Sequence, residues 1–236
     1  MIRRVGPAFR SSEDTMKLWS DSWPNGERIP ARYACGRLDG ADGTTFSDNV
    51  NPHLAWSDLP AATQSLVLIC HDFDVPSRGD DVNQPGREIP ADLPRVDFFH
   101  WLLADVPVSA RSIEEGALSK GFSPRGKPGP AVTAPGLERA RQGINDFTGW
   151  FAGNPALAGD YFGYDGPYPP WNDSLVHHYV FTLYALSVAR APVEGRFTGA
   201  DLRKAIDGHV LAEAMHSGTY TLNRRLGPAD AMRGRA

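Results

Sequence analysis

Three stretches of the chain are apolar without a helical period. They are Ser65-Leu66-Val67-Leu68-Ile69-Cys70-His71-Asp72, Phe98-Phe99-His100-Trp101-Leu102-Leu103-Ala104 and Tyr179-Val180-Phe181-Thr182-Leu183-Tyr184-Ala185-Leu186. Runs of this length, apolar on both faces and rich in aromatic and β-branched residues, predict central strands covered on both sides. Toward the C-terminus the period changes. Thr198-Gly199-Ala200-Asp201 opens like a capping box with Asp in the Glu position, and Leu202, Ala205, Ile206 and Val210 follow at helical spacing. The spacing predicts a core-facing helix over 202–215. Gly208 weakens it by about 1 kcal/mol relative to Ala without having to end it. Thr219-Tyr220-Thr221-Leu222 predicts a last strand.

Between the strands lie long Gly- and Pro-bearing connections, chiefly 76–97, 121–136 and 149–174. Connections of that length are usually functional rims or inserts. Eight of the 16 residues from Gly121 to Gly136 are Gly or Pro, the mark of a mobile surface connection with no assigned role. Residues 1–15 are polar and unpatterned, so they predict a disordered extension, and Met16-Lys17-Leu18 offers an alternative start. A single domain over 16–226 and a polar tail over 227–236 complete the expected organisation. Many strands, one good helix and a strand predict a mainly β sandwich with helices at its edge.

Composition agrees. Gly (24) and Pro (20) together fill nearly a fifth of 236 positions, which argues against a helical bundle, while 41% hydrophobic residues and six Trp exclude low-complexity disorder. The net charge is −4 without a basic stripe, so no nucleic acid is expected as a partner. The longest purely apolar run, Leu66 to Cys70, is far short of the ~20 residues that cross a bilayer, and no apolar segment follows the basic pair Arg3-Arg4. Two cysteines make no disulfide framework, so Cys35 and Cys70 read as structural thiols and the expected location is the cytoplasm.

Three polar clusters interrupt these apolar stretches: His71-Asp72-Phe73-Asp74-Val75-Pro76, His100-Trp101, and Tyr164-Asp165-Gly166-Pro167-Tyr168-Pro169-Pro170 leading to His177-His178-Tyr179. Strand alternation sets Asp72 beside Leu66, Leu68 and Cys70, and His100 beside Phe98 and Leu102. A carboxylate and an imidazole on buried faces must be paired, and the economical pairing is with each other. An Asp that fixes the tautomer of a His leaves its other nitrogen free to donate to an anion. Asp72 and Asp74 can alternatively serve as turn formers. His71 points away from Asp72 and reads as structural, as do His53, His209 and His216; His178 either rims the pocket or packs away from it.

These residues resemble the phosphatidylethanolamine-binding protein family. Asp72-Phe73-Asp74-Val75-Pro76 is similar to its Asp-Pro-Asp-x-Pro motif, His100-Trp101 to its His-Trp, and His177-His178-Tyr179-Val180-Phe181 to its His-Arg-Tyr-Val-Phe segment. Tyr164 to Pro170 resembles the Tyr-Asp-Gly-Pro-Cys-Pro-Pro loop of the bacterial, Raf-kinase-inhibitor-like branch. Asn51-Pro52-His53-Leu54-Ala55-Trp56 fits the Asn/Ser-Pro-x-Leu-x-Trp element of the same branch. The resemblance implies two antiparallel sheets with flanking helices, one near the C-terminus, and a small pocket for phosphate-like anions such as a phospholipid headgroup or phosphate monoester. Carried over by position, that pocket uses Asp72, Asp74, Pro76, His100, Pro170, His177 and Tyr179, with a cis bond expected at Val75–Pro76 and a homodimer suggested by analogy. Phe73, Tyr168 and His178 depart from the pattern, and Tyr168 either fills the mouth or stacks on a ligand.

The expected role is a binding protein that is not an enzyme and carries no cofactor or metal. Inhibition of a kinase or protease through surface loops is the alternative. A metal-dependent hydrolase using two Asp and two His ranks below both, since no Gly-x-Ser-x-Gly elbow, P-loop or Rossmann glycine fingerprint is present.

Overall fold

The computed structural model describes residues 15–41 and 43–227. Ten strands run β1 Lys17–Trp19, β2 Gly36–Asp39, β3 Gly43–Phe46, β4 Leu54–Ser57, β5 Ser65–Pro76, β6 Arg95–Val106, β7 Ser112–Ile113, β8 Arg141–Gln142, β9 His177–Leu186 and β10 Val210–Tyr220. Two short helices, α1 Phe147–Trp150 and α2 Gly199–Ile206, interrupt them. The strands form an antiparallel five-stranded sheet β10-β9-β5-β6-β8, a three-stranded sheet β1-β4-β7 and the hairpin β2-β3. The expected extension over 1–15 and polar tail over 227–236 lie almost wholly outside the described residues.

The continuous apolar runs have a simple cause: the large sheet is buried on both faces. Leu66, Leu68, Trp101, Leu103, Phe181 and Leu183 pack against Leu54, Trp56 and Ile113 of the small sheet. On the reverse face Val67, Ile69, Leu102 and Ala104 meet Val193, Phe197, Leu202 and Ile206. Each such side chain contributes about 1.5–3 kcal/mol when fully buried.

The expected helix over 202–215 is shorter. Its capping box forms as predicted, with Thr198 Oγ1 accepting from the Asp201 amide at 3.3 Å and Asp201 Oδ2 accepting from the Thr198 amide at 2.9 Å. The helix nevertheless stops at Ile206. Gly208 takes φ 75°, the His209 amide bonds the Ile206 carbonyl at 3.0 Å, and the chain reverses into β10. Val210 to Met215 contains good helix formers, but ten register pairs with β9, beginning at Val210↔Leu186, outweigh that weak preference.

The Gly/Pro-rich connection 121–136 is packed rather than loose. The Lys127 amide bonds the Asp160 carbonyl at 2.8 Å, and a Cβ on Gly129 would meet the Phe162 ring at 2.3 Å. The cis X-Pro bond among the described residues is Gly129–Pro130, not Val75–Pro76. Pro76 closes β5 opposite Arg95, where a trans bond keeps the strand extended.

Gly208→Ala forces a Cβ into the left-handed region with open space around it. The expected loss is about 1–2 kcal/mol in urea unfolding. An unchanged midpoint would show that the reversal into β10 does not depend on glycine.

Candidate functional site

Two irregularities in the β5–β6 ladder build the site. Cys70 pairs with Trp101 but His71 pairs with Phe99, so β6 carries an extra residue at His100. This bulge resets the alternation: Phe99 turns to the α2 side with Leu102, while Phe98 and His100 face a cavity. The expected shared face of His100 and Leu102 is thereby broken. A second slip, between Asp72↔Phe98 and Val75↔Val96, falls inside the Asp72-Phe73-Asp74-Val75-Pro76 motif and leaves Phe73 on the surface. Asp72 accepts from the Asp74 amide at 2.8 Å, closing a local turn at the bulge.

Asp72 does not pair with His100. It accepts from His177 Nδ1 at 2.6 Å, across the junction of β5 and β9. His177 Nε2 donates to Asp173 Oδ2 at 3.2 Å, so neither ring nitrogen is left for a ligand, contrary to the expectation from sequence. Arg95 completes the chain, bonding Asp173 through both terminal nitrogens at 2.6 and 3.1 Å. His177 is fully buried and its two carboxylate partners are about 1% exposed. Burial by itself would depress the imidazole, but hydrogen bonds to Asp173 and Asp72 and their charges outweigh it and hold its pKa at about 9. Asp173 is likewise pulled below the usual carboxylate range: burial opposes this, and hydrogen bonds from His177, Arg95 and the Leu175 amide prevail.

His100 is held differently. Its Nδ1–H donates to the Asp165 carbonyl at 2.7 Å, because a carbonyl can only accept. Burial depresses the imidazole below its ordinary value, partly opposed by the charge of Asp72, so at neutral pH the ring is uncharged. Nε2 then presents a lone pair to the cavity. The Asp165 amide in turn donates to the His100 carbonyl at 3.0 Å, so the loop extends the edge of β6. The Asp165 carboxylate, fully buried, accepts from Asn49 at 2.6 Å, Asn145 at 2.7 Å and Lys127 at 3.0 Å. Gly166 is fitted against backbone: a Cβ there would lie 2.0 Å from the Tyr33 carbonyl oxygen.

The cavity holds about 250 Å³. Of the residues singled out from sequence, Asp72, Pro76, His100, Tyr168, Pro170, His177 and Tyr179 line it. Asp74 lies outside, where its carboxylate accepts from the His178 amide at 2.9 Å and from His178 Nδ1 at 2.8 Å. His178 therefore packs away from the pocket, half exposed and stacked on Phe73 at 5.6 Å. Tyr179 is buried, and its hydroxyl has no hydrogen-bond partner among the described residues. Burial, reinforced by the charge of Asp72 and by the nearness of its carboxylate as an acceptor, pushes that phenol well above its ordinary value, so it stays a donor. Tyr168 lines the entrance; its ring lies against Gly36 and its hydroxyl sits 3.2 Å from Thr44 Oγ1.

Sequence reasoning missed Asp173 and Arg95, which are single charges in ordinary-looking loops, and Lys127, hidden in a Gly/Pro-rich segment. Phe98, read from sequence as core or pocket wall, does line the cavity, but the rest of the apolar wall, Phe147, Trp150, Phe151 and Leu157, was missed. Five of these wall and charge positions lie in or near the connection 149–174, whose length was the one available signal.

Residues 19–221 match the family model for phosphatidylethanolamine-binding protein, and the chain belongs to that family. A UPF0098 protein of Aquifex aeolicus is 30% identical over 212 residues, covering 90% of this chain and 92% of that one. The UPF0098 protein YbhB of Escherichia coli is 29% identical over 199 residues, covering 84% and 96%. Among solved structures, the phosphatidylethanolamine-binding protein homologue CT736 of Chlamydia trachomatis superposes with a TM-score of 0.57 at 27% identity, over 88% of this chain and 97% of that one. YbcL of E. coli superposes at 0.62 over 87% and 98%, a likeness of fold alone at 22% identity. Among the described residues no helix is long and apolar enough to cross a membrane.

His177→Gln leaves two buried carboxylates facing a neutral amide, and the expected loss of stability is about 3–5 kcal/mol. The wild-type pH profile carries its own signature. Because the folded pKa is raised, the imidazolium stabilises fully below the unfolded value near 6.5, and its contribution disappears as pH rises through about 9. Urea midpoints from pH 6 to 10 should therefore fall in the wild type, and the fall should be absent in His177→Gln. Parallel profiles for the two proteins would rule out a charged His177.

Proposed function

We propose that this protein is a cytoplasmic binding protein for small phosphate-like oxyanions, which it holds without covalent change. One observation carries the reading: the neutral His100, its Nε2 free of any protein partner among the described residues, lines the cavity together with Tyr179, their rings 5.1 Å apart. Beside them the His177 imidazolium offsets the Asp72 carboxylate through the neutral range. The family's name points to a phosphoethanolamine headgroup, and its phosphate is the part that these groups match.

The local chemistry sets the protonation state of the ligand. Tyr179 donates to one oxygen. His100 has a lone pair to offer, and Asp72 repels a bare dianion. The bound species is therefore a protonated monoanion whose hydroxyl donates to His100 Nε2, or an anion that binds together with a proton taken up by His100. Turnover is not part of the proposal. The cavity lining contains no Ser, Thr, Cys or Lys, and Asp72 and Asp173 are already committed to His177.

Phosphorus NMR or calorimetry with inorganic phosphate and phosphoethanolamine tests this at pH 5, 6.5 and 8. Affinity is expected to fall as pH rises, because the His100 pKa is depressed in the free protein and an anion raises it. His100→Ala should cost about tenfold or more, the scale of a hydrogen bond to a charged group. Absence of saturable millimolar binding, or binding unchanged in His100→Ala, would overturn the proposal.

A further inference from the structure

The floor of the cavity is polar, but its entrance is not. Trp150 ends α1 and is 51% exposed, although it lines the cavity. Among the described residues no aromatic ring packs on it, and its indole N–H has no hydrogen-bond partner. Facing the same opening, Phe46 at the end of β3 is 37% exposed. Phe46 stacks on Phe122 at 3.8 Å and 6° between planes, and Phe122 meets Phe151 edge-on at 5.8 Å. This aromatic strip is fixed in place. Asp146, just before α1, accepts from the Phe99 amide at 2.7 Å, and its own amide bonds the Phe99 carbonyl at 2.9 Å, tying the helix to β6. An exposed indole without a partner among the described residues, on a helix whose start is tied to β6 and beside an apolar opening, is the kind of group that ligands stack upon.

Size limits what can lie there. About 250 Å³ is just below the roughly 300–1,000 Å³ of pockets for drug-sized ligands, so one oxyanion and one ring fill the space. The two acyl chains of a lipid would have to lie outside it. Phe98 and Phe147, whose rings lie 4.9 and 5.5 Å from His100, supply an apolar wall between the oxyanion floor and the exposed Phe46 and Trp150.

We infer that the pocket is selective for small aryl oxyacids, such as an aryl phosphate monoester, with Trp150 as the specificity-determining residue that stacks on the ring. This rests on the reading of the floor as an oxyanion site. The ligand enters acid-first, its oxyanion at His100 and Tyr179 and its ring against the indole.

Calorimetry with four probes separates the parts: inorganic phosphate (head alone), phenol (ring alone), phenyl phosphate (both) and dihexanoyl phosphatidylethanolamine (head with chains). Phenyl phosphate should bind at least tenfold tighter than phosphate, and the lipid no tighter than phosphate. Trp150→Ala should weaken phenyl phosphate by about three- to tenfold while leaving phosphate unchanged, and Trp150→Phe should restore most of the loss. Thermal midpoints within a degree or two of wild type are expected, since the side chain is half exposed, and they guard against a folding defect. Phosphate binding with no gain from the ring, or equal losses for phosphate and phenyl phosphate in Trp150→Ala, overturns the inference and leaves the oxyanion reading standing. Lipid binding tighter than phenyl phosphate overturns the size limit. Binding of phenol alone, with neither phosphate nor phenyl phosphate held, overturns the oxyanion reading itself.

Discussion

The site depends on one buried imidazolium. His177 sits between Asp72 and Asp173, and Asp173 is bonded in turn by Arg95, so charges alternate in sign along a chain shielded from water. None of these groups is tolerable alone in the interior, where an unpaired charge costs several kcal/mol. Their mutual need joins the end of β5, the start of β6, the start of β9 and the loop before it. Asn223 adds the segment after β10, donating to the Asp173 carbonyl at 2.7 Å. The cavity lies where these segments meet, so its floor is as rigid as the ion chain.

A second polar knot works by backbone rather than by charge transfer between side chains. Asp165 is locked by Asn49, Asn145 and Lys127, and its main chain bonds His100 in both directions. That arrangement decides which imidazole nitrogen carries the proton. The two histidines of the site are consequently opposites: His177 is charged and saturated, while His100 is neutral with one nitrogen open. A pocket built this way separates the charged histidine, neutralised by its carboxylates, from the histidine whose nitrogen is left open. The Gly and Pro residues around it have matching duties. Gly166 admits the Tyr33 carbonyl, Pro169 and Pro170 line the rim, and Gly129 admits the Phe162 ring.

Much of this was legible in the residues. The three central strands stand where the apolar runs lie, and the capping box at Thr198 marks the start of α2. The motifs around Asp72, His100, Tyr164 and His177 do converge on one cavity. What misled was strand parity. Counting alternate residues from Leu102 puts His100 on the wrong face, because the bulge at His100, between the Cys70↔Trp101 and His71↔Phe99 pairs, leaves no signature in composition. The need to pair buried polar groups suggested an Asp72–His100 pair, whereas strand adjacency brings His177 to Asp72. The C-terminal helix was overextended for a related reason: Val210 to Met215 has no strong local preference, and β9 supplies the partner that makes it a strand.

Sequence alone determined the mainly β class, the positions of the buried strands and the set of residues gathered at one end of the sheet. Those are consequences of period and of side-chain type, which are properties of a local stretch. Only the tertiary structure decided which carboxylate holds which imidazole, which nitrogen remains open, that Asp74 and His178 pair outside the pocket, and that Trp150 guards its entrance. Each of these depends on contacts between residues far apart in the chain, at distances of a few ångströms that a one-residue slip in register would abolish.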